Sequence, residues 1–166
     1  MRIKRLVLLR HAKAVKGWDD FERELNEIGL EDAAEAASAV RSFVGENAVV
    51  VCSPAKRTRQ TAQIVFPQAP LCFEPSLYLA SAQRLEDTVR LFGEKNECVV
   101  VVGHNEGLTQ AAVRLAQTRF TDHIHTSGFC VLDFDVFCRG TGKLVYYHVP
   151  SRILHRRSPP VSDVAR

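Results

Sequence analysis

The chain has 166 residues, 46% of them hydrophobic and 25% charged, which is enough for one sizeable core and too little for two ordinary domains. Its 22 Lys and Arg against 19 Asp and Glu leave a formal charge of +3, too mild to imply a nucleic-acid or membrane partner by charge alone. Five cysteines (Cys52, Cys72, Cys98, Cys130 and Cys138) show no CxxC spacing, which argues against a zinc site and for a reduced, cytoplasmic setting.

In chain order, the basic start "MRIKR" leads into an apolar run shorter than a signal-peptide core, and no stretch approaches the length of a membrane span. The runs "IKRLVLL", "AVVVCS", "PLCFE" and "CVVVVGH" are continuously apolar, the pattern of strands buried on both faces of a parallel sheet, and all four read as central. Between the first two, "LNEIGLEDAAEAASAVRSFVG" places Leu30, Ala33, Ala34, Ala37, Val40 and Val44 at helical spacing and ends in Gly45 as a C-cap. "SPAKRTRQTAQIVF" opens a second helix with Ser53 as N-cap and Pro54 at its first position. Helices over 81–92 and 106–116 follow, and "GFCVLDFDV" and "KLVYYHV", joined by "FCRGTG", read as an antiparallel hairpin. The pattern predicts an α/β fold, a three-layer α/β/α sandwich whose open sheet is mostly parallel with an antiparallel portion. One domain over 1–150 is followed by a basic, proline-containing C-terminal tail, 151–166, expected to be flexible.

Chemistry gathers where the apolar runs end. Ligands of open α/β sheets bind beyond the carboxyl ends of the strands, and three runs finish there in polar groups: Arg10-His11, Ser53 with Arg57 a helical turn on, and Gly103-His104-Asn105. Two guanidinium forks suit phosphate oxygens, two imidazoles offer a nucleophile and a further donor, and helices starting near Pro54 and Glu106 add backbone N–H groups. One such residue alone is usually structural. Three strand ends carrying cationic or imidazole groups repel one another unless an anion binds among them, so the residues predict a phosphoryl site that works without a metal, with Ser53 and Asn105 as further substrate contacts. A neutral imidazole attacks phosphorus through one nitrogen while the other keeps its proton. Arginines stay charged and stabilise the equatorial oxygens, and His104 helps most as an imidazolium beside a dianion.

"LLRHAKA", "SPAKRTRQTA" and "VVGHNEGL", in this order and spacing, resemble the histidine phosphatase superfamily, also called phosphoglycerate mutase-like, and most closely its small SixA-type phosphohistidine phosphatases. The resemblance runs from about Leu6 to Tyr147, and "DFERELNEIG" is similar to the family's D-x-x-R-x-L-x-x-x-G segment through Asp20, Arg23, Leu25 and Gly29. It implies a phosphoglycerate mutase-like fold, His11 as the nucleophile that becomes phosphorylated, Arg10, Arg57 and His104 as the groups that bind the phosphoryl oxygens, and no cofactor.

Two departures from the family pattern bear on the substrate. Larger mutases and acid-using phosphatases carry an acidic proton donor in a D-x-x-L-x-E-like pattern after the SPxxR helix. Here "EPSLYLAS" lays Glu74 and Leu77 on the acid and the Leu, which puts Leu79 where the donor would stand. An alkyl phosphate needs such an acid, whereas phosphohistidine releases an imidazole whose conjugate acid has a pKa of about 6.5. Glu74, Glu86, Asp87, Asp19 and Asp20 are the acids able to substitute from nearby segments. The second departure is Glu106, where many relatives have Pro: it suits the helix dipole but weakens phosphate binding if it turns inward.

His123 and His125 alternate in "TDHIHTSG", yet no carboxylate or thiolate pattern completes a metal site, and His125, Thr126 and Ser127 read as a polar loop at the pocket mouth. Trp18 either closes over substrate or anchors its own loop. The reading is a cofactor-independent phosphatase that uses phospho-His11, with phosphohistidine on a protein as the leading substrate. A broad-specificity phosphomonoesterase for small sugar phosphates or nucleotides is the enzymatic alternative. A catalytically idle domain that binds a phosphorylated partner is the other, and the full set of four residues argues against it because binding needs no nucleophile. Neither nucleic acid nor a membrane is expected as a partner, and the oligomeric state stays open.

Overall fold

The computed structural model describes residues 3–120 and 122–157. Strands β1 (Lys4–Arg10), β2 (Val49–Cys52), β3 (Leu71–Phe73), β4 (Cys98–Gly103), β5 (Phe129–Phe134) and β6 (Lys143–His148) form one sheet in the order β3-β2-β4-β1-β5-β6. The first four are mutually parallel, while β5 runs antiparallel to β1 and β6 antiparallel to β5. Helices α1 (Glu27–Val40), α2 (Lys56–Val65), α3 (Ala82–Gly93) and α4 (Gly107–Leu115) make the crossovers. Side-chain alternation along β1 divides the core between the two layers. Val7 and Leu9 join a cluster with Ala36, Val40, Ala62 and Val65 of α1 and α2, whereas Leu6 and Leu8 join one with Leu85, Val89, Leu108 and Ala112 of α3 and α4. This is the expected α/β/α sandwich, and among the described residues no helix is long and apolar enough to cross a membrane.

The structure corrects four local expectations. "PLCFE" is an edge strand: β3 has three residues, pairs with β2 alone, and leaves Phe73 exposed. Helix α1 ends at Val40, whose carbonyl accepts from both Phe43 N (2.9 Å) and Val44 N (3.2 Å), so the turn closes before Gly45 is reached. Its buried stripe is Gly29, Ala33, Ala36 and Val40, one position round from the expected stripe, and Leu30 faces solvent. Small residues are needed on that stripe because a Cβ at Gly29 would stand 2.1 Å from the Lys13 carbonyl oxygen. Ser53 does not cap α2, whose N-cap is Ala55 with no side-chain hydrogen bond, since the Ser53 hydroxyl is turned to His104.

The segment expected to be a flexible tail begins with helix α5 (Ser151–Arg157). It is tied to α1, with Ser151 N and Oγ donating to Glu35 (2.7 and 2.8 Å) and Arg152 paired with Glu31 and Asp32. Acids on the outer face of α1 meet the first, basic residues of the segment, a complementarity that composition alone hides. Residues 158–166, the rest of that segment, lie outside the described residues.

Candidate active site

The site sits where β1, β2 and β4 end. Arg10 is the last residue of β1, in register with Gly103 of β4, and the next amide, His11 N, donates to the Gly103 carbonyl (3.0 Å). The ladder therefore delivers His11 and His104 side by side, with ring centroids 5.3 Å apart. His11 is 9% exposed, and its Nδ1 lies 2.7 Å from the Ala12 carbonyl. A carbonyl can only accept, so Nδ1 carries the proton and Nε2 keeps its lone pair. Burial pushes the His11 imidazole down to about 4, against the Ala12 carbonyl and aided by Arg57, Arg10 and Arg23, so the ring is neutral at physiological pH.

Helix α2 supplies both a functional group and the braces that hold the nucleophile's loop. Arg57, in its first turn, is 3% exposed and donates to the Asp20 carbonyl (Nη1, 2.6 Å), the Asp20 carboxylate (Nη2, 3.0 Å) and His104 Nδ1 (Nη2, 3.3 Å). Thr61 Oγ1 accepts from Ala12 N (2.9 Å), and Gln60 Oε1 accepts from Leu25 N (2.8 Å). The Q-T of the motif thus fixes the chain on both sides of the loop that leaves His11. Arg10 reaches the Ile124 carbonyl through Nη1 (3.1 Å). Arg10 Nε, Arg57 Nε and Ser127 Oγ are buried with no hydrogen-bond partner among the described residues, a costly condition that an oxyanion acceptor relieves.

His104 is held in the opposite tautomer. Arg57 can only donate to Nδ1, so the proton is on Nε2, which donates to Ser53 Oγ (2.8 Å). Burial, then the neighbouring His11 and Arg57, push this imidazole down to about 3, so in the free protein it is a neutral acceptor and not the imidazolium expected beside a dianion. Ser53 and Asn105, expected as substrate contacts, are placed as supports. Ser53 is fully buried behind His104, and the Asn105 carboxamide bridges the Ile124 carbonyl (2.8 Å) to Thr109 N and Oγ1 (3.2 and 2.8 Å). Both side chains meet the buried ends of strands and helices first, because strand-end polar groups must pair before they can serve a ligand.

A second segment, 15–24, covers Arg57 from outside. Asp20 joins Arg57, Arg23 Nη1 (3.0 Å) and the Tyr78 hydroxyl through one carboxylate. Tyr78 in turn stands edge-on to His104 with centroids 5.6 Å apart. Hydrogen bonds from Tyr78, Arg23 and Arg57 hold the Asp20 carboxyl well below the usual carboxylate range, so it is ionised rather than ready to donate a proton. The other acids weighed as donors are engaged or turned away. Glu86 is buried beneath Arg139 and Arg114, Asp87 pairs with Arg90 on the surface, and Glu74 is half-buried at the end of β3. Leu79 is exposed at φ +50°, Trp18 stands fully in solvent, and Glu106 points outward. Asp20's part in the set was legible as a motif position, though not its pairing with Arg57 across 37 residues.

A model of the histidine phosphatase superfamily (branch 1) matches residues 6–78, the stretch that carries Arg10, His11, Asp20, Arg57 and Tyr78. Over these motifs the chain resembles the histidine phosphatase superfamily, and the match and the solved structures named below support a phosphatase. The chain is 29% identical over 160 residues to an uncharacterized protein of Mycobacterium tuberculosis, the match covering 86% of this chain and 99% of that one. It is 26% identical to a crystal structure of the candidate phosphohistidine phosphatase SixA from Agrobacterium tumefaciens, with a TM-score of 0.75 over 89% of this chain and 99% of that one. The protein histidine phosphatase SixA complexed with tungstate shares the fold at a TM-score of 0.77 and 18% identity, over 90% and 99% of the two chains.

Two features lie apart from the phosphoryl site. A groove of about 540 Å³, lined by Val40, Val44, Val65, Phe66 and Pro70 with Arg41 and Glu46 beside them, opens at the opposite end of the sheet. The 122–125 segment corrects the expectation that no carboxylate accompanies His123 and His125: Asp122 supplies one, and a ligand atom from each of the three lies within 4.8 Å of the others.

Proposed function

We propose that this enzyme hydrolyses phosphohistidine through a phospho-His11 intermediate. The observation that carries the reading is the His11 ring itself: its proton is fixed on Nδ1 by Ala12, and its free Nε2 lies in a neutral, buried imidazole beside Arg10 and Arg57. Nε2 attacks phosphorus in line as the substrate's phosphorus–nitrogen bond breaks, the departing imidazole taking its proton from solvent. Arg10 and Arg57 hold the equatorial oxygens, and Arg57 exchanges the Asp20 carboxylate for the phosphoryl group as it does so. The dianion draws a proton onto His104, which then donates to an oxygen. Water next attacks the phospho-His11 phosphorus, breaking its bond to Nε2 and releasing inorganic phosphate.

Every turnover therefore ends with cleavage of a phosphorus–imidazole bond in this very pocket. A phosphohistidine substrate asks for nothing the second step does not already require, whereas an alkyl phosphate asks for a general acid. Leu79 stands where that acid would be, and the carboxylate that touches the set, Asp20, is held ionised. The SixA proteins named above fit the same preference. Steady-state kinetics on a phosphohistidine protein, an aryl phosphate, a phosphoserine peptide and sugar phosphates tests it. The first two are expected to exceed the others in kcat/KM by about 10²- to 10⁴-fold, the usual value of general acid catalysis. Comparable rates would overturn the proposal, mean that a nearby acid supplies the proton, and favour the broad phosphomonoesterase.

A further inference from the structure

The segment 122–125, Asp-His-Ile-His, carries donor groups that phosphoryl transfer does not use. Ile124 is fully buried, and its neighbours on either side point the other way, as alternate residues of an extended chain must. The rings of His123 and His125 consequently lie together, with centroids 4.3 Å apart. Asp122 turns back toward them: its Oδ1 accepts from His123 N (2.9 Å) and lies 3.8 Å from His123 Nδ1. We propose that Asp122, His123 and His125 bind one divalent transition-metal ion of the zinc class, at a site separate from the phosphoryl pocket.

The donor set selects the metal. Two imidazoles and a carboxylate match zinc, nickel, cobalt and copper, while magnesium and calcium prefer all-oxygen sites. Three protein ligands leave one tetrahedral position for water. Ligand atoms around zinc at ~2.0–2.2 Å sit roughly 3.3–3.5 Å apart, so atoms already within 4.8 Å need to close by at most about 1.5 Å. Rotation of the exposed His123 side chain provides that closure. The surroundings are also those of a metal site, because outer groups hold the ligands in place. The Tyr147 hydroxyl donates to the His123 carbonyl (2.8 Å) and stands 3.4 Å from Asp122 Oδ2, and Tyr147 is itself fixed edge-on to Phe120 at 5.2 Å.

The site connects to the catalytic floor through Ile124. Ile124 N donates to Thr109 Oγ1 (3.0 Å), and its carbonyl accepts from both Arg10 and Asn105. A metal that ties down 123 and 125 ties down the carbonyl between them on which Arg10 rests.

Zinc titration of the chelator-treated full-length protein by calorimetry tests the proposal. One zinc per chain is expected, with about a hundredfold or greater loss of affinity in the His123→Ala/His125→Ala double variant. His123→Ala alone replaces an exposed side chain and is expected to lose about tenfold or more even if the double variant fails to fold. His11→Ala is expected to keep full zinc affinity, and the cobalt-loaded protein to show no thiolate charge-transfer bands despite Cys72 and Cys138 being within reach of solvent. Absence of saturable zinc binding, unchanged affinity in His123→Ala, thiolate bands, or loss of the zinc in His11→Ala would each overturn it.

Discussion

His11, Arg57 and His104, on the floor of the pocket, are between 3 and 9% exposed, whereas Leu79 on its rim is 57% exposed and Trp18 stands wholly in solvent. The floor is held by backbone ladders and by hydrogen bonds accepted by the Ala12 and Ile124 carbonyls and the Ser53 and Thr61 hydroxyls. The rim meets it chiefly through Asp20, whose carbonyl accepts from Arg57 and whose carboxylate is shared among Arg57, Arg23 and Tyr78. The difference separates two tasks in the proposed reaction: a rigid buried floor fixes the tautomers and places the two imidazoles, and a half-exposed rim faces the leaving group.

The comparison breaks most completely at His11. His11→Ala is expected to abolish turnover with unchanged far-UV CD, since the side chain lies beyond the last residue of β1 and outside the packed strand. Measurable residual activity in a folded variant would place the nucleophile elsewhere.

A smaller effect separates floor from rim by pH. Burial holds His11 down at about 4 and His104 at about 3, so NMR titration of the free protein is expected to show both imidazoles neutral down to pH 5. An imidazole at the ordinary 6.5 would be reduced roughly thirtyfold in its neutral form at that pH, and a midpoint near 6.5 would mean the floor is hydrated. The unfolded chain takes up these protons near pH 6.5 while the folded chain does not, so stability present above pH 6.5 is lost as the pH falls toward 4, and Tm is expected to decline across that window.

The smallest effect belongs to the rim. Asp20→Asn removes the anion that faces Arg57, and the inhibition constant for inorganic phosphate is expected to fall by about two- to fivefold, the range of a half-exposed ion pair. An unchanged or weakened constant would show that Asp20 orders Arg57 more than it competes with the ligand.

The same division explains what was legible in the sequence. Strands β1, β2 and β4 and their terminal Arg10, Ser53, Arg57 and His104 stand out because continuous apolar runs that stop at polar residues mark buried parallel strands opening onto a ligand. The motif glycine and threonine were visible as letters, but their reasons, a helix lying against the Lys13 carbonyl and a hydroxyl bracing Ala12, depend on distances between segments. Ser53 and Asn105 looked like ligand contacts because polarity at a strand end does not reveal which side of the backbone a side chain takes. Asp122 was missed beside His123 because a carboxylate next to a histidine has no periodicity to mark it, and α5 because its hold on Glu31, Asp32 and Glu35 spans well over a hundred residues.

His11 and His104 each follow the last paired residues, Arg10 and Gly103, of two adjacent parallel strands. Their spacing is thus a lattice constant of the sheet, as fixed as the distance between neighbouring ladder rungs. Loops that leave those strands can lengthen, shorten or be exchanged without altering it, because the register is secured beneath them by the apolar rows of β1 and β4. Substrate range in this enzyme is therefore free to drift through segments such as 15–24 while the two imidazoles stay in step, and grafting a foreign rim onto this floor is a direct route to a new specificity.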